Sequence, residues 1–243
     1  MNFASPQPAP GAPASAKQYQ WLLFDAGGTL FDYEKAERSA LEQALGRIGV
    51  AFAPAHLRTY RQINQALWQE VERGNVTPGF VKVRRFELFL ESIQVQQDAA
   101  ALSTCYLGCL SDCSELLEDA EAVLQTLQRK YRIAILTNGL KEVQRGRLAR
   151  SVIRHHVTDL IISEEIGAAK PATEFFDRAL VRLGNPGRDQ VLMIGDGWAS
   201  DIEGAVQYGI DACWYNPARK PRPTAVPITR EIAALGELVA WLA

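Results

Sequence analysis

Four short stretches of this sequence hold polar groups that could do chemistry together, and each follows an apolar segment. Trp21–Phe24 runs into Asp25-Ala26-Gly27-Gly28-Thr29, and Arg132–Leu136 runs into Thr137-Asn138-Gly139. The segment Asp159–Ser163 precedes a loop with Lys170-Pro171; Gln190–Ile194 runs into Gly195-Asp196, with Ser200-Asp201 just beyond. The residue types suit phosphoryl transfer to a carboxylate. An aspartate can act as nucleophile and form an aspartyl-phosphate. Asp25 and Asp196 together can hold Mg²⁺, which takes a few carboxylates alongside water and substrate phosphate. A hydroxyl and turn amides at Thr137, Asn138 and Gly139 can bind phosphate oxygens. Lys170 can neutralise charge on the nucleophile and on the group in transfer.

These groups must be brought together by the elements between them. The short apolar segments read as strands covered on both faces, as in a parallel sheet. Helical patterns alternate with them from about position 118 onward: Val123, Leu124 and Leu127; Lys141–Arg150; Thr173–Leu183; Ala199–Tyr208; and a last helix over Glu231–Leu242. In such sheets ligands bind at the carboxyl ends of the strands, where all four polar stretches fall. Between residues 32 and 117 the pattern differs. Apolar residues recur at helical spacing, as in Ala36, Ala40, Leu41, Ala44 and Leu45, then Tyr60, Ile63, Leu67 and Val71. This stretch is too long for a loop and reads as an all-helical unit inserted after the first strand. The expected organisation is a Pro/Ala-rich disordered tail over 1–18, an α/β core from 19–31 and 118–243, and a helical cap over 32–117.

The stretches "DAGGTL", "LTNG", "AAKP" and "GDGWASD" resemble, in order and spacing, the four motifs of the haloacid dehalogenase-like (HAD) hydrolase superfamily. "ISEEIGAAKP" and "ACWYNP" resemble its pyrimidine 5′-nucleotidase-like branch. The resemblance covers the chain after the tail. It implies a HAD-like Rossmannoid parallel sheet core with the cap after its first strand. It also implies roles. Asp25 would be nucleophile and Mg²⁺ ligand, and Lys170 would position it. Thr137 would bind phosphate with the neighbouring turn, Asn138 and Gly139. Asp196 would complete the metal site together with the Gly27 carbonyl. Thr29, Ser200 and Asp201 would stand behind these groups.

The sequence departs from that pattern at Gly27. Phosphatases of the superfamily carry a second aspartate there, which protonates the leaving oxygen and then activates water. Glycine has nothing to titrate, and losing a general acid/base costs roughly 10²–10⁴ in rate. Three readings follow: a weakened phosphatase of small phosphomonoesters such as nucleoside 5′-monophosphates, a non-catalytic binder of phosphorylated ligands, or a haloacid dehalogenase or phosphonate hydrolase. The dehalogenase needs no Mg²⁺, whereas "GDGWASD" keeps an acidic metal pattern. The phosphonate hydrolase would need a cap lysine, for which Lys82 is the candidate.

The rest of the composition excludes more than it assigns. With 26 Lys+Arg against 28 Asp+Glu and no basic run, nucleic acid is not an expected partner. No apolar run approaches a membrane span, and "MNFASPQPAPGAPASA" lacks a signal peptide's charged and apolar regions. The expectation is a cytoplasmic protein acting on a small phosphorylated metabolite. Cys105, Cys109 and Cys113 fall on one helical stripe and read as small packing residues. His155 and His156 read as surface residues. Trp68, Phe86 and Phe89 read as cap core, and Trp198, beside Asp196, as packing or as a contact to substrate or cap.

Overall fold

The computed structural model describes residues 18–243; the tail expected over 1–18 lies almost wholly outside them. The described residues form six parallel strands, β1 (Trp21–Phe24), β2 (Arg132–Thr137), β3 (Asp159–Ile162), β4 (Val191–Gly195), β5 (Asp211–Tyr215) and β6 (Arg230–Ile232), in spatial order β3-β2-β1-β4-β5-β6. The order reverses at β1. It is flanked by β2 on one side and β4 on the other, in registers Phe24↔Ile135 and Phe24↔Ile194. The carboxyl ends of β1, β2 and β4 therefore lie side by side at the switch point, where such sheets take ligands.

Alternation along the strands divides the core in two. Leu22, Phe24, Ile133, Ile135, Leu192 and Ile194 face one layer, which includes helix α5 (Ala120–Leu127) and the C-terminal helix. Trp21, Leu23, Ala134, Leu136, Val191 and Met193 face the other, with Phe175, Phe176 and Ala179 of helix Thr173–Arg182. Burial on both sides is why these strands are continuously apolar.

Between β1 and α5 the chain forms four helices with their own apolar cluster: α1 (Tyr33–Arg47), α2 (Pro54–Glu72), α3 (Pro78–Ser92) and α4 (Ala99–Asp112). Their starts are set locally. The side chains of Asp32, Thr77 and Asp98 accept the first free N–H groups of α1, α3 and α4. Pro54 and Pro78 open α2 and α3. Tyr60, Phe86, Phe89 and Tyr106 pack ring on ring at 5.1–5.9 Å in the middle of the unit. Phe86 and Phe89 are thus core residues, as their spacing indicates.

Two chain crossings join this unit to the sheet, and they pair with each other. Asp32 N–H donates to Glu115 O at 3.0 Å and Leu117 N–H to Leu30 O at 2.9 Å, around an antiparallel bridge between Phe31 and Leu116. Arg147, on helix α6 (Lys141–Arg150), is fully buried beneath them. Its Nε–H donates to Cys113 O at 2.9 Å, and its guanidinium lies 4.6 Å from the centre of the Phe31 ring.

Later elements depart from the sequence reading in two places. The expected last helix starts only at Glu237 and ends at Leu242, because Arg230–Ile232 instead pairs with Cys213–Tyr215 as the edge strand β6. The expected Ala199–Tyr208 helix begins with a wide π-type turn over Trp198–Glu203 before an α-helical turn over Gly204–Tyr208. Between β3 and Thr173–Arg182 the short helix α7 (Ser163–Ile166) ends at Gly167, whose φ is +70°. No described helix is long and apolar enough to cross a membrane.

Candidate active site

At the end of β1, Asp25 is fixed by its neighbours on both sides. Its N–H donates to Ile194 O of β4 at 2.9 Å, and its Oδ1 accepts from Lys170 Nζ at 2.7 Å. Lys170 is 1% exposed and uses all three protons: to Asp25 Oδ1, to Asp201 Oδ1 at 2.6 Å and to Leu136 O at 2.7 Å. Burial alone would push its pKa down. The charges of Asp201 and Asp25 outweigh that and hold it above its ordinary value. Lys170 is thus a fully committed cation, and its effect falls on Asp25 and Asp201.

The loop after β1 closes tightly, with Phe31 N–H on Ala26 O at 2.8 Å and Gly28 N–H on Phe31 O at 2.9 Å. Thr29 ties this loop to the end of β4. Its hydroxyl accepts from Asp196 N–H at 3.0 Å and donates to Asp196 Oδ1 at 2.8 Å. Glycine is required at 28: φ is +91°, and a Cβ there would come within 2.6 Å of Asp196 Oδ2. Position 27 has no such requirement. The nearest atoms a Cβ there would meet belong to Tyr33, at 3.5 Å, an ordinary contact.

The oxygens of Asp25, Asp196 and Asp201 lie within 4.8 Å of one another, but they are not equally free. Asp201 Oδ2 accepts from Gly197 N–H at 2.9 Å, and Oδ1 takes Lys170 and, at 3.4 Å, Ser200 Oγ. Among the described residues, Asp25 Oδ2 and Asp196 Oδ2 accept no hydrogen bond. This donor set, two aspartates with one open oxygen each and a buried third braced by a lysine, fits a hard, hydrated cation such as Mg²⁺. Burial raises two of these acids, Asp196 and Asp201. Asp196, although its side chain opens to the cleft, is pushed up to about 6 by the protein that displaces water around it and by the charge of Asp25. Burial likewise raises Asp201, with Lys170 opposing.

The turn after β2 divides its tasks. Thr137 is at the cleft wall, and no protein group bonds its hydroxyl among the described residues. Asn138 turns its amide inward and bonds the main chain of Lys170 with both atoms, at 2.8 Å each. The Gly139 N–H donates to Ser163 Oγ at 3.0 Å. Of the three residues expected to meet phosphate, Thr137 alone presents an unengaged side-chain group.

Asp25, Gly27, Thr137, Asn138, Gly139 and Asp196 line a cleft of about 520 Å³ that also touches α1, α2, α3 and α4. Arg61, Asn64, Trp68 and Glu72, at helical intervals on α2, form one wall. Glu37 of α1 is buried there on Arg61 Nε at 2.7 Å; burial raises its pKa and Arg61 opposes. Arg85, 2% exposed, donates to Asn64 Oδ1 at 3.3 Å and lies against the Phe86 and Tyr106 rings. The sequence reading singles out none of these except Trp68, which is half-buried in the cleft wall and not in the apolar cluster. A second polar stripe on α2, beside its Tyr60-Ile63-Leu67-Val71 stripe, is the available signal. The sequence reading misses Trp214 as well. Its Nε1–H donates to Asp196 O at 3.1 Å. Trp198 packs edge-on against Trp214 at 4.7 Å and donates to Thr224, so it is a packing residue. Lys82 is away from this cleft, paired with Glu142 at 2.9 Å and Glu164 at 3.3 Å. His155 is exposed.

A reversing parallel sheet with an acidic cluster and a buried lysine at its switch point, under an inserted helical unit, defines a class of hydrolases. A profile of the haloacid dehalogenase-like hydrolases matches residues 19–209. The pyrimidine 5′-nucleotidase YjjG of Escherichia coli is 32% identical over 91% of this chain and 96% of its own length. The pyrimidine 5′-nucleotidase PynA of Streptococcus pneumoniae is 32% identical over 91% and 94%. Among solved structures, the magnesium-bound HAD-hydrolase YfnB of Bacillus subtilis superimposes with a TM-score of 0.86 at 32% identity, covering 93% of this chain and 99% of that one. The chain belongs to the haloacid dehalogenase-like hydrolase family.

Proposed function

We propose that this hydrolase is a Mg²⁺-dependent phosphatase of small phosphomonoesters, nucleoside 5′-monophosphates foremost, acting through an aspartyl-phosphate on Asp25. The observation that carries this reading is the state of Asp25: one oxygen pinned by Lys170, the other open beside Asp196 and a cleft that Thr137 lines. A nucleophile needs this combination of fixed orientation and a free lone pair. Asp25, Asp196 and the Gly27 carbonyl would hold Mg²⁺, which when bound offsets the repulsion between an anionic nucleophile and an anionic phosphate. Asp25 attacks phosphorus, Thr137 holds a phosphate oxygen, and Lys170 keeps Asp25 aimed. Water then releases phosphate and regenerates Asp25. The cleft volume suits a ligand of nucleotide size, and the nucleotidase relatives support that choice. Residues 32–117 act as the cap that closes over the ester and limits access of water.

The rival reading, a phospho-ligand binder without turnover, is carried by Gly27. The test is phosphate release with Mg²⁺ from a panel of nucleoside monophosphates and sugar phosphates, with a quench that traps aspartyl-phosphate. Turnover that Asp25→Asn abolishes supports the phosphatase. Ligand binding with neither burst nor turnover would establish the binder. The phosphonate route loses its candidate lysine, since Lys82 is engaged elsewhere.

A further inference from the structure

Gly27 leaves the site without the carboxyl group that a phosphatase of this kind uses to move protons, and the cleft holds few candidates to replace it. Its carboxylates, besides Asp25 and Asp196, are Glu34, Glu37 and Glu72. Glu34 stands 86% exposed in solvent at its side chain. Glu37 is tied to Arg61. Glu72 differs from both. It is half-buried in the cleft wall, and among the described residues its carboxylate has no hydrogen bond and no ion pair.

Its position is set by the chain and is an unfavourable one for a carboxylate. Glu72 is the last residue of α2, one turn beyond Trp68 on the face that lines the cleft. The chain then turns through Arg73 and Gly74, whose N–H groups return to Gln69 O and Val71 O. A negative charge at a helix C-terminus opposes the helix dipole. Partial burial without a donor adds a further cost, so nothing in the packing of α2 accounts for an acid at this point. Glu72 lines the same cleft as Asp25; partial burial raises its pKa, with the charge of Lys170 the leading opposing influence.

We propose that Glu72, carried on the cap, is the general acid/base that residue 27 does not supply. In the first step Asp25 attacks phosphorus and the ester P–O bond breaks. The departing alkoxide takes the proton from the Glu72 carboxyl and leaves as an alcohol. In the second step the Glu72 carboxylate takes a proton from water, whose oxygen attacks the aspartyl-phosphate. The P–O bond to Asp25 breaks, phosphate departs, and both acids return to their starting states. This proposal rests on the phosphatase reading above.

The test compares the parent with Glu72→Gln on two ester types, an alkyl phosphate such as a nucleoside monophosphate and p-nitrophenyl phosphate, whose leaving group needs no protonation. Rapid quench separates phosphoenzyme formation from its hydrolysis. Glu72→Gln is expected to slow phosphoenzyme formation from the alkyl ester by roughly 10²-fold or more. Formation from the aryl ester changes little. The alkaline limb of the alkyl-ester pH profile disappears, and the melting temperature does not fall. Adding Gly27→Asp to Glu72→Gln restores alkyl-ester turnover. Equal activity of parent and Glu72→Gln overturns the assignment, as does an equal loss on both esters or a rise in KM alone. If the parent is silent and Gly27→Asp alone is active, Glu72 is excluded while the phosphatase scaffold stands. If neither hydrolyses any phosphate ester, the underlying reading falls with it.

Discussion

Asn138 grips the main chain of Lys170 from both sides: its Oδ1 accepts the Lys170 N–H and its Nδ2 donates to the Lys170 carbonyl, each at 2.8 Å. A side chain at the end of β2 thereby fixes the loop that delivers the ammonium to Asp25. Asn138→Leu removes both bonds at similar volume. The expected result is a stability loss of about 1–3 kcal/mol, read by urea unfolding, with a fall in kcat larger than any change in KM. A variant whose kcat matches the parent would show that the loop holds itself.

Lys170→Met should be the more severe change. It leaves Asp25 and Asp201 crowded without their cation, and breaking a buried pair this way costs about 3–5 kcal/mol. The loss shrinks as pH falls, because protonating the freed carboxylates relieves it. Denaturant unfolding at pH 8 and pH 5 checks the sign: the gap between parent and variant should narrow at pH 5.

The candidate metal site should respond to pH in a defined direction. Asp196 in the cation-free fold is pushed up to about 6, above the ordinary carboxylate value of about 3.9. Its contribution to stability is therefore full below the unfolded value and is lost as pH rises through about 6. Mg²⁺ needs the ionised form, so its binding should tighten with pH over the same interval and release protons below it. Calorimetric Mg²⁺ titrations at pH 5 and pH 8 in two buffers of different ionisation enthalpy test this. The rise in melting temperature on adding Mg²⁺ should be larger at pH 8.

The adjacent glycines should behave differently. Gly28→Ala forces a Cβ onto Asp196 at a φ of +91°. It should destabilise by about 1 kcal/mol or more and weaken Mg²⁺ binding. Gly27→Ala meets Tyr33 first, at an ordinary 3.5 Å, and should stay within about 0.5 kcal/mol of the parent. Paired melting curves and Mg²⁺ titrations decide between them.

The core was legible in the sequence because strands covered on both faces are uniformly apolar and end abruptly in polar turns. Asp25, Thr137, Lys170 and Asp196 each stand at such an end or in the loop beyond it, so topology alone brings them together. The edge strand β6 was not legible. Arg230 and Glu231 are exposed, and only Ile232 is buried, so Arg230–Ile232 has no apolar run to announce it. The division of labour within the site was equally hidden. Whether Asn138 faces a ligand or Lys170 depends on how far the loop folds back, which no local pattern records. Glu72 sits in an amphipathic helix whose apolar stripe was easy to read. Its polar stripe acquires meaning only once α2 and the strand ends are seen to line one cleft.

The antiparallel pairing of the two crossings has a mechanical consequence. Phe31–Asp32 and Glu115–Leu117 bond to each other and are fastened beneath by Arg147 through Cys113 and the Phe31 ring. A pair of chains laced in this way bends across its width more readily than it stretches or shears. The helical unit is held to the sheet along this seam and again where Lys82 of α3 pairs with Glu142 and Glu164. Any swing of the helices about the ribbon has to part the Lys82 pairs as well, so the unit is clasped at two places rather than hung from one.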